Sequence, residues 1–171
     1  MKCLAVRGRT RQGTKGIVQL GQLRLACALG RGGRKAGKRE GDGATPIGRF
    51  RLLAVLYRAD RRRRPSTGLP VRAIRPADGW CDAATDRNYN RSVPLPYPAS
   101  TERMWREDNL YDLVVVLDHN TRPRVRGHGS AIFMHVARPG LKPTEGCVAL
   151  DVRHLERLIA KAGRRTTITV I

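Results

Sequence analysis

No apolar stretch in this 171-residue chain is long enough to cross a membrane; the longest, LVVVL at Leu113–Leu117, has the length of a strand. Aromatic residues make up only 5%, with two Phe and two Trp. That is too few to interleave with the many bases as single-strand nucleic-acid readers do. No two of the four cysteines, Cys3, Cys27, Cys81 and Cys147, have Cys-x-x-Cys spacing, which removes the signal for a zinc ribbon or a redox dithiol. Four is also too sparse for a disulfide-stapled fold. The basic N-terminus, MKCLAVRGRTRQGTKG, has no apolar h-region after it. IVQLGQLRLACALG comes late, is broken by Gly21 and Gln22 and carries Arg24, so no secretory signal is read.

Acids are scarce as well, 14 against 34 Lys and Arg, giving a net charge of +20. The excess is uneven: residues 1–64 hold 18 bases and 3 acids. That front third should attract polyanions such as nucleic acid, anionic headgroups or an anionic wall polymer; the plain alternative is an Arg-rich protein with no specific polyanion site. A hydrophobic content of 40% and a length of 171 residues suit one domain, residues 1–171, with a real core. The 18 Gly and 10 Pro predict short elements joined by many turns.

Alternation predicts strands at MKCLAV, at Leu23, Leu25, Cys27 and Leu29, and at GRFRLLAVLYR with Phe50, Leu52, Ala54 and Leu56 on one side. Cys27 reads as a small core residue. GRGGRKAGKREGDGATPIG reads as a Gly-rich loop and RRRRP at Arg61–Pro65 as a solvated charge run. Ser66–Asn109 shows few regular patterns, and a loop that long is functional or covers something. Leu110–Asn120 reads as a central strand and Ser130–Val136 as another. DVRHLERLIAKAG is the clearest helix, with Asp151 as cap, Val152, Leu155, Leu158 and Ile159 as an apolar stripe and Gly163 at its end. TTITVI closes the chain. The expected fold is mainly β, a β-sandwich or mixed sheet with one or two helices.

In IFMHVARPGLKPTEGCVAL, His135 stands twelve positions before Cys147, and Gly146 directly before the cysteine. Cysteine catalysis needs a thiolate, a proton acceptor and oxyanion donors. Cys147, just ahead of a helix, is expected to have its thiol pKa lowered by the helix N-terminus and by a nearby imidazolium. The N–H groups of Gly146 and Cys147 are candidate oxyanion donors, and a Gly without Cβ lets a carbonyl approach. The bland reading is a buried small hydrophobe and a strand-end histidine. His128, in RGHGS, is an alternative base or substrate contact. Arg138 and Lys142 are candidate carboxylate ligands. Trp80, Asp82, Tyr89 and Asn90 are expected to line or cover the groove, with Trp80 as plain core the stronger alternative. Cys81 reads as structural, and His119 and His154 as surface residues. A zinc site from His128, His135 and Cys147 lacks a fourth ligand at a convincing spacing, so no metal is expected.

IFMH followed by PTEGCVAL resembles the L,D-transpeptidase catalytic domain, the YkuD-like family. The family places a His at a strand end before Ser/Thr-x-Gly-Cys, here His135 and Thr144-Glu145-Gly146-Cys147. GDGATPIGRF at Gly41–Phe50 is similar to its Thr-Pro-x-Gly-x-Phe stretch, and GWCD, GSAIFMH and PTEGCVAL match one branch, so the motifs span about residues 40–160. The chain departs from the common form at Glu145, Ala149 and Val136, where the family often has His, Arg and Gly. The resemblance implies a cysteine acyltransferase on peptidoglycan stem peptides, with Cys147 as nucleophile, His135 as base, and no cofactor. Thr144, Glu145, His128, Arg138, Tyr89 and Trp80 are the expected substrate contacts. It also implies a periplasmic or envelope location, despite the lack of a visible leader, and a monomer is expected. The alternatives are an L,D-carboxypeptidase of the same fold and a basic nucleic-acid-binding protein without catalysis.

Overall fold

The computed structural model describes residues 2–10 and 12–171. Its first strands are β1 (Cys3–Gly8), β2 (Lys15–Leu20), β3 (Leu23–Ala28), β4 (Arg34–Lys35), β5 (Thr45–Pro46) and β6 (Gly48–Tyr57). Then come β7 (Val71–Ala73), β8 (Asp78–Cys81), β9 (Arg91–Pro94), β10 (Thr101–Arg103), β11 (Leu113–Leu117), β12 (Phe133–Val136) and β13 (Val148–Leu150). The helix α1 (Val152–Lys161) and β14 (Thr167–Val170) close the order. The fold is therefore mainly β, with a mixed sheet and a single helix among the described residues.

Nine strands form one sheet in the order β11-β12-β13-β3-β2-β1-β14-β6-β7, and β6 also pairs with β11. The hydrogen-bonded circuit thus closes on itself. The length of β6 allows this: Gly48–Arg51 pair with β14, and Leu52–Tyr57 with β11. The contacts β1/β14, β12/β13 and β6/β7 are parallel, the others in this sheet antiparallel.

The main core gathers Leu4, Val6, Leu25, Cys27, Leu113 and Val115 of this sheet with the α1 residues Leu155, Leu158 and Ile159. Burying each such large aliphatic side chain contributes roughly 1.5–3 kcal/mol. The alternation at β3 and the apolar stripe of α1 hold. Asp151 caps the helix by accepting from the Arg153 N–H at 2.9 Å. The C-terminal end differs from expectation. Ala162, in extended conformation, ends the helix with its N–H on the Ile159 carbonyl, and Gly163 bridges to Gly68. The close approach needs the glycine on the other side: a Cβ on Gly68 would lie 3.2 Å from the Ala162 carbonyl oxygen, whereas one on Gly163 would meet nothing within 4 Å.

β6 corrects a second expectation. Leu52 opposes Leu117 and Ala54 opposes Val116, so Leu53 is an extra residue in the ladder. This bulge reverses the parity. Leu52, Val55 and Tyr57 face the main core, while Leu56 turns to the other side.

That other side carries the site. Every residue of β11 is buried because both faces are covered. Leu113, Val115 and Leu117 point into the main core. Val114 and Val116 join Phe133, Tyr111, Met104 and Cys147 in a second cluster. The cover comes from the segment expected to lack regular structure: it holds β7 to β10, of which β8, β9 and β10 form a small sheet of their own. Its strands are three or four residues long, too short for alternation to show. Trp80 of this sheet meets the Phe133 ring edge-on, with centroids 5.1 Å apart.

The charge run is also more ordered than expected. Arg61 reaches Asp112 at 3.1 Å and Arg62 reaches Glu156 at 2.9 Å; Arg63 and Arg64 stay exposed.

Candidate active site

His135 lies on β12, and Cys147 directly precedes the neighbouring parallel strand β13. In the β12/β13 register His135 lies beside Ala149 and Met134 beside Val148, so Cys147 stands at the entry to β13. His135 also opposes Val114 of β11. This parity puts its ring on the same face as Phe133, toward the second cluster. The ring packs edge-on against Tyr111, with centroids 5.4 Å apart. Both residues line one cleft of about 420 Å³.

The histidine is set by its backbone. Nδ1 lies 2.8 Å from the Val136 carbonyl oxygen. A carbonyl only accepts, so Nδ1 carries the proton and Nε2 keeps its lone pair. The ring is 6% exposed. Burial takes its pKa down to about 4; the Val136 carbonyl opposes this, and Arg106 and Arg138 press it further down. The imidazole is neutral at physiological pH.

The thiol is held between backbone groups. Sγ accepts from the Phe133 N–H at 3.3 Å and donates to the Ala131 carbonyl at 3.3 Å. Ala131 adopts a φ of 50°, a left-handed conformation that a residue with Cβ rarely takes. Burial pushes the Cys147 thiol up to about 12; Glu102 adds to this, while the Phe133 N–H and Lys38 oppose it. The expected lowering by a helix terminus and an imidazolium is overturned. β13 separates Cys147 from α1, and His135 is uncharged. Thiol and imidazole thus both rest neutral on the one cleft.

Gly146 has a φ of 132°. A Cβ there would meet the Ala44 carbonyl oxygen at 2.8 Å, so only glycine fits. Its N–H donates to Thr144 Oγ1 at 3.2 Å, and that hydroxyl donates to the Cys147 carbonyl at 2.7 Å. The Gly146 donor is therefore engaged within the loop, which leaves the Cys147 N–H as the stronger oxyanion candidate of the two. Thr144 lines the cleft, but its polar atom locks the turn. Glu145, exposed, bonds Arg31 at 2.7 Å.

The other expected contacts divide. Arg138, Lys142 and Asp82 line the cleft with Thr144 and Glu145. His128 does not: it is exposed, its Nε2 lies 2.9 Å from Arg39, and it borders a separate hollow beside His119. That position removes it as an alternative base or metal partner for Cys147. Trp80 backs the cleft without lining it, its indole N–H bonded to Asn90 Oδ1 at 3.0 Å. Asn90 is a buried hub, with Oδ1 also accepting from the Ala131 N–H at 3.1 Å. Tyr89 is buried and donates its hydroxyl to Glu40, so it supports the cleft wall. His119 is half-buried, bonded to the His128 carbonyl at 2.9 Å, and His154 is half-buried too. Cys81 is buried, as a structural cysteine would be.

Several site residues gave no sequence signal. Glu102 and Arg106 line the cleft with Tyr111, and Tyr111 donates to Glu102 at 2.5 Å. Burial raises the Glu102 pKa, and the Tyr111 hydroxyl opposes the rise. The Gly-rich loop before β5 sends Glu40 into the cleft wall and Lys38 beneath it. Among the described residues, no three His, Cys, Asp or Glu side chains gather as a metal site would require.

A thiol and a tautomer-fixed imidazole opening on one cleft are what acyl transfer through a cysteine needs. The family model for the L,D-transpeptidase catalytic domain, YkuD, matches residues 9–170. The chain belongs to this family. The match takes in β2 to β14 and so reaches well beyond the motif-bearing stretch at residues 40–160. The chain matches no curated protein and no solved structure. Within the L,D-transpeptidase family the departures at Glu145, Val136 and Ala149 fall on distinct places: an exposed loop tip, the carbonyl that holds His135, and the cleft floor.

Proposed function

We propose that this chain is a cysteine-dependent L,D-transpeptidase acting on peptidoglycan stem peptides through a thioester. One observation carries the reading beyond family membership: Cys147, at the entry to β13, and His135, on the adjacent strand β12, open on the same cleft, with the imidazole Nε2 left free to accept a proton. Attack forms the S–C bond to the substrate carbonyl as the thiol proton passes to His135 Nε2. The C–N bond then breaks, and the leaving D-amino acid takes that proton. An acceptor amine attacks the thioester, gives a proton to His135, and the thiol is restored. Because thiol and imidazole both rest neutral, proton transfer accompanies attack instead of preceding it. Arg106, Arg138 and Lys142 suit substrate carboxylates, while Glu40, Asp82 and Glu102 suit the amine of a diamino acid. Stem peptides carry both groups.

A carbapenem should add covalently to Cys147, seen as a mass shift of the intact protein, and Cys147→Ala should stay unmodified while folded. An unlabelled but folded parent protein would refute the nucleophile assignment. Incubation with purified muropeptides then separates outcomes: dimers mean amine transfer, and loss of D-alanine without dimers means water is the acceptor.

A further inference from the structure

The loop between β4 and β5 carries a buried cation that the steps above do not use. Lys38 is 5% exposed, and its Nζ bonds Asp42 Oδ1 at 2.8 Å. A Cβ built on Gly146 would lie 3.3 Å from that Nζ, and one built on Gly129 would lie 2.8 Å from Lys38 Cε. The side chain is thus threaded between two glycines, its ammonium against the residue before the nucleophile. Lys38 does not line the cleft, so substrate does not reach it. Asp42 holds it in place, accepting also from the Arg39 and Ala44 N–H groups.

We propose that Lys38 is a positioning residue that supplies the fixed positive charge against which Cys147 ionises and the oxyanion forms. This rests on Cys147 being the nucleophile. Charge developing in a buried site needs a preorganised counter-charge, because no water can turn to meet it. Apart from the Phe133 N–H, which also favours the thiolate, the groups facing Cys147 work against ionisation or stay neutral. Glu102, Tyr111 and His135 line the same cleft as Cys147, while Arg106 faces Glu102 at 3.9 Å and Asp108 at 2.7 Å. Arg138 acts on His135, helping to keep that ring neutral. Lys38 is the cation whose field favours the thiolate.

The test needs no peptidoglycan: the rate of iodoacetamide alkylation at Cys147, read on its own peptide by mass spectrometry from pH 6 to 10. Below the thiol pKa this rate tracks the thiolate fraction. Lys38→Met should slow it about tenfold at each pH, one pKa unit. Asp42→Asn, which removes the counter-charge of the lysine, should speed it. A lysine that merely packs the loop would give the opposite result for Lys38→Met, since loosening exposes the sulfur and accelerates alkylation. An unchanged or faster rate in folded Lys38→Met overturns the proposal. Should that variant not fold, Lys38→Met/Asp42→Asn leaves no unpaired buried charge; it must still alkylate more slowly than the parent. Slowed alkylation together with no carbapenem adduct would uphold the charge effect and count against the enzyme reading.

Discussion

Two glycine-rich loops meet beneath the cleft, and they divide its work. One runs from Arg138 to Cys147, the other from Leu29 to Thr45. They are zipped together by the Arg31 N–H on the Thr144 carbonyl at 2.8 Å and the Thr144 N–H on the Leu29 carbonyl at 3.0 Å. The first presents the nucleophile. The second presents no group that reacts, but it brings the Ala44 carbonyl and Lys38, held by Asp42, against the back of Gly146. Reactivity and its electrostatic support are thus held on separate loops, joined by backbone hydrogen bonds. A substitution should therefore act very differently according to which loop it strikes and whether it touches their seam.

The largest effect should come from the reacting pair itself. His135→Gln removes the base while leaving an amide that fits a polar site, and carbapenem acylation should slow by about 10²- to 10⁴-fold. Stopped-flow acylation rates at pH 7 measure this; a loss under tenfold would mean that another group takes the proton.

Glycine substitutions sharpen the contrast at the seam. At Gly146 the φ of 132° and the Ala44 carbonyl 2.8 Å from a new Cβ combine strain with a backbone clash. Gly146→Ala should cost at least about 1–3 kcal/mol and remove acylation as well. At Gly37 a Cβ meets nothing within 4 Å, so Gly37→Ala should leave the melting temperature level or slightly higher. Equal losses at the two positions, seen by thermal denaturation, would erase the distinction between seam and outer loop.

The first loop was legible in the sequence because its chemistry is local: Thr144, Gly146, Cys147 and the upstream His135 lie within thirteen residues, and a family pattern covers them. The strands β3 and β11 and the helix were legible through alternation, an apolar run and the Asp151 cap. The second loop was not. Lys38 and Asp42 look like solvated charges in KREGDG, and only tertiary contact turns them inward. Glu102, Arg106 and Tyr111 were hidden for a related reason: they arrive on strands and turns too short to carry a period. The pKa expectation failed although the helix does start at its Asp151 cap: the three residues of β13 hold its N-terminus away from Cys147, and burial then dominates. The bulge at Leu53 likewise reverses parity without any mark in composition.

pH separates the titratable groups of the site by sign. The imidazole of His135 is taken from about 6.5 to about 4 by burial, so below 6.5 protons bind the unfolded chain more readily. Stability contributed by keeping this ring neutral is full above that pH. It falls as pH drops toward 4, by roughly 3 kcal/mol in total. Asp42, held down at about 2 from 3.8, loses its contribution only below pH 4. Urea denaturation from pH 7 to 3 should show the first fall vanish in His135→Gln and persist in Asp42→Asn. Buried Cys147, raised to about 12 from 9.0, works in the opposite direction, so stability should decline again above pH 9, and Cys147→Ala should remove that decline.

The smallest effect should fall on the ion pair Arg31–Glu145, which joins the loops. Arg31 and Glu145 lie 2.7 Å apart, but their side chains are 58% and 77% exposed. Water already solvates both ends, and holding two long side chains in one geometry offsets most of the attraction. Glu145→Gln should therefore change stability by less than about 0.5 kcal/mol and become silent at high salt. The backbone bonds between Arg31, Thr144 and Leu29 do not depend on that carboxylate, so they should keep the seam closed. If Glu145→Gln instead slows carbapenem acylation markedly at unchanged stability, the carboxylate contacts the ligand at the cleft mouth. The family often has a histidine at this position, and substituting one would show whether the loop tip, rather than the seam, sets the choice of substrate.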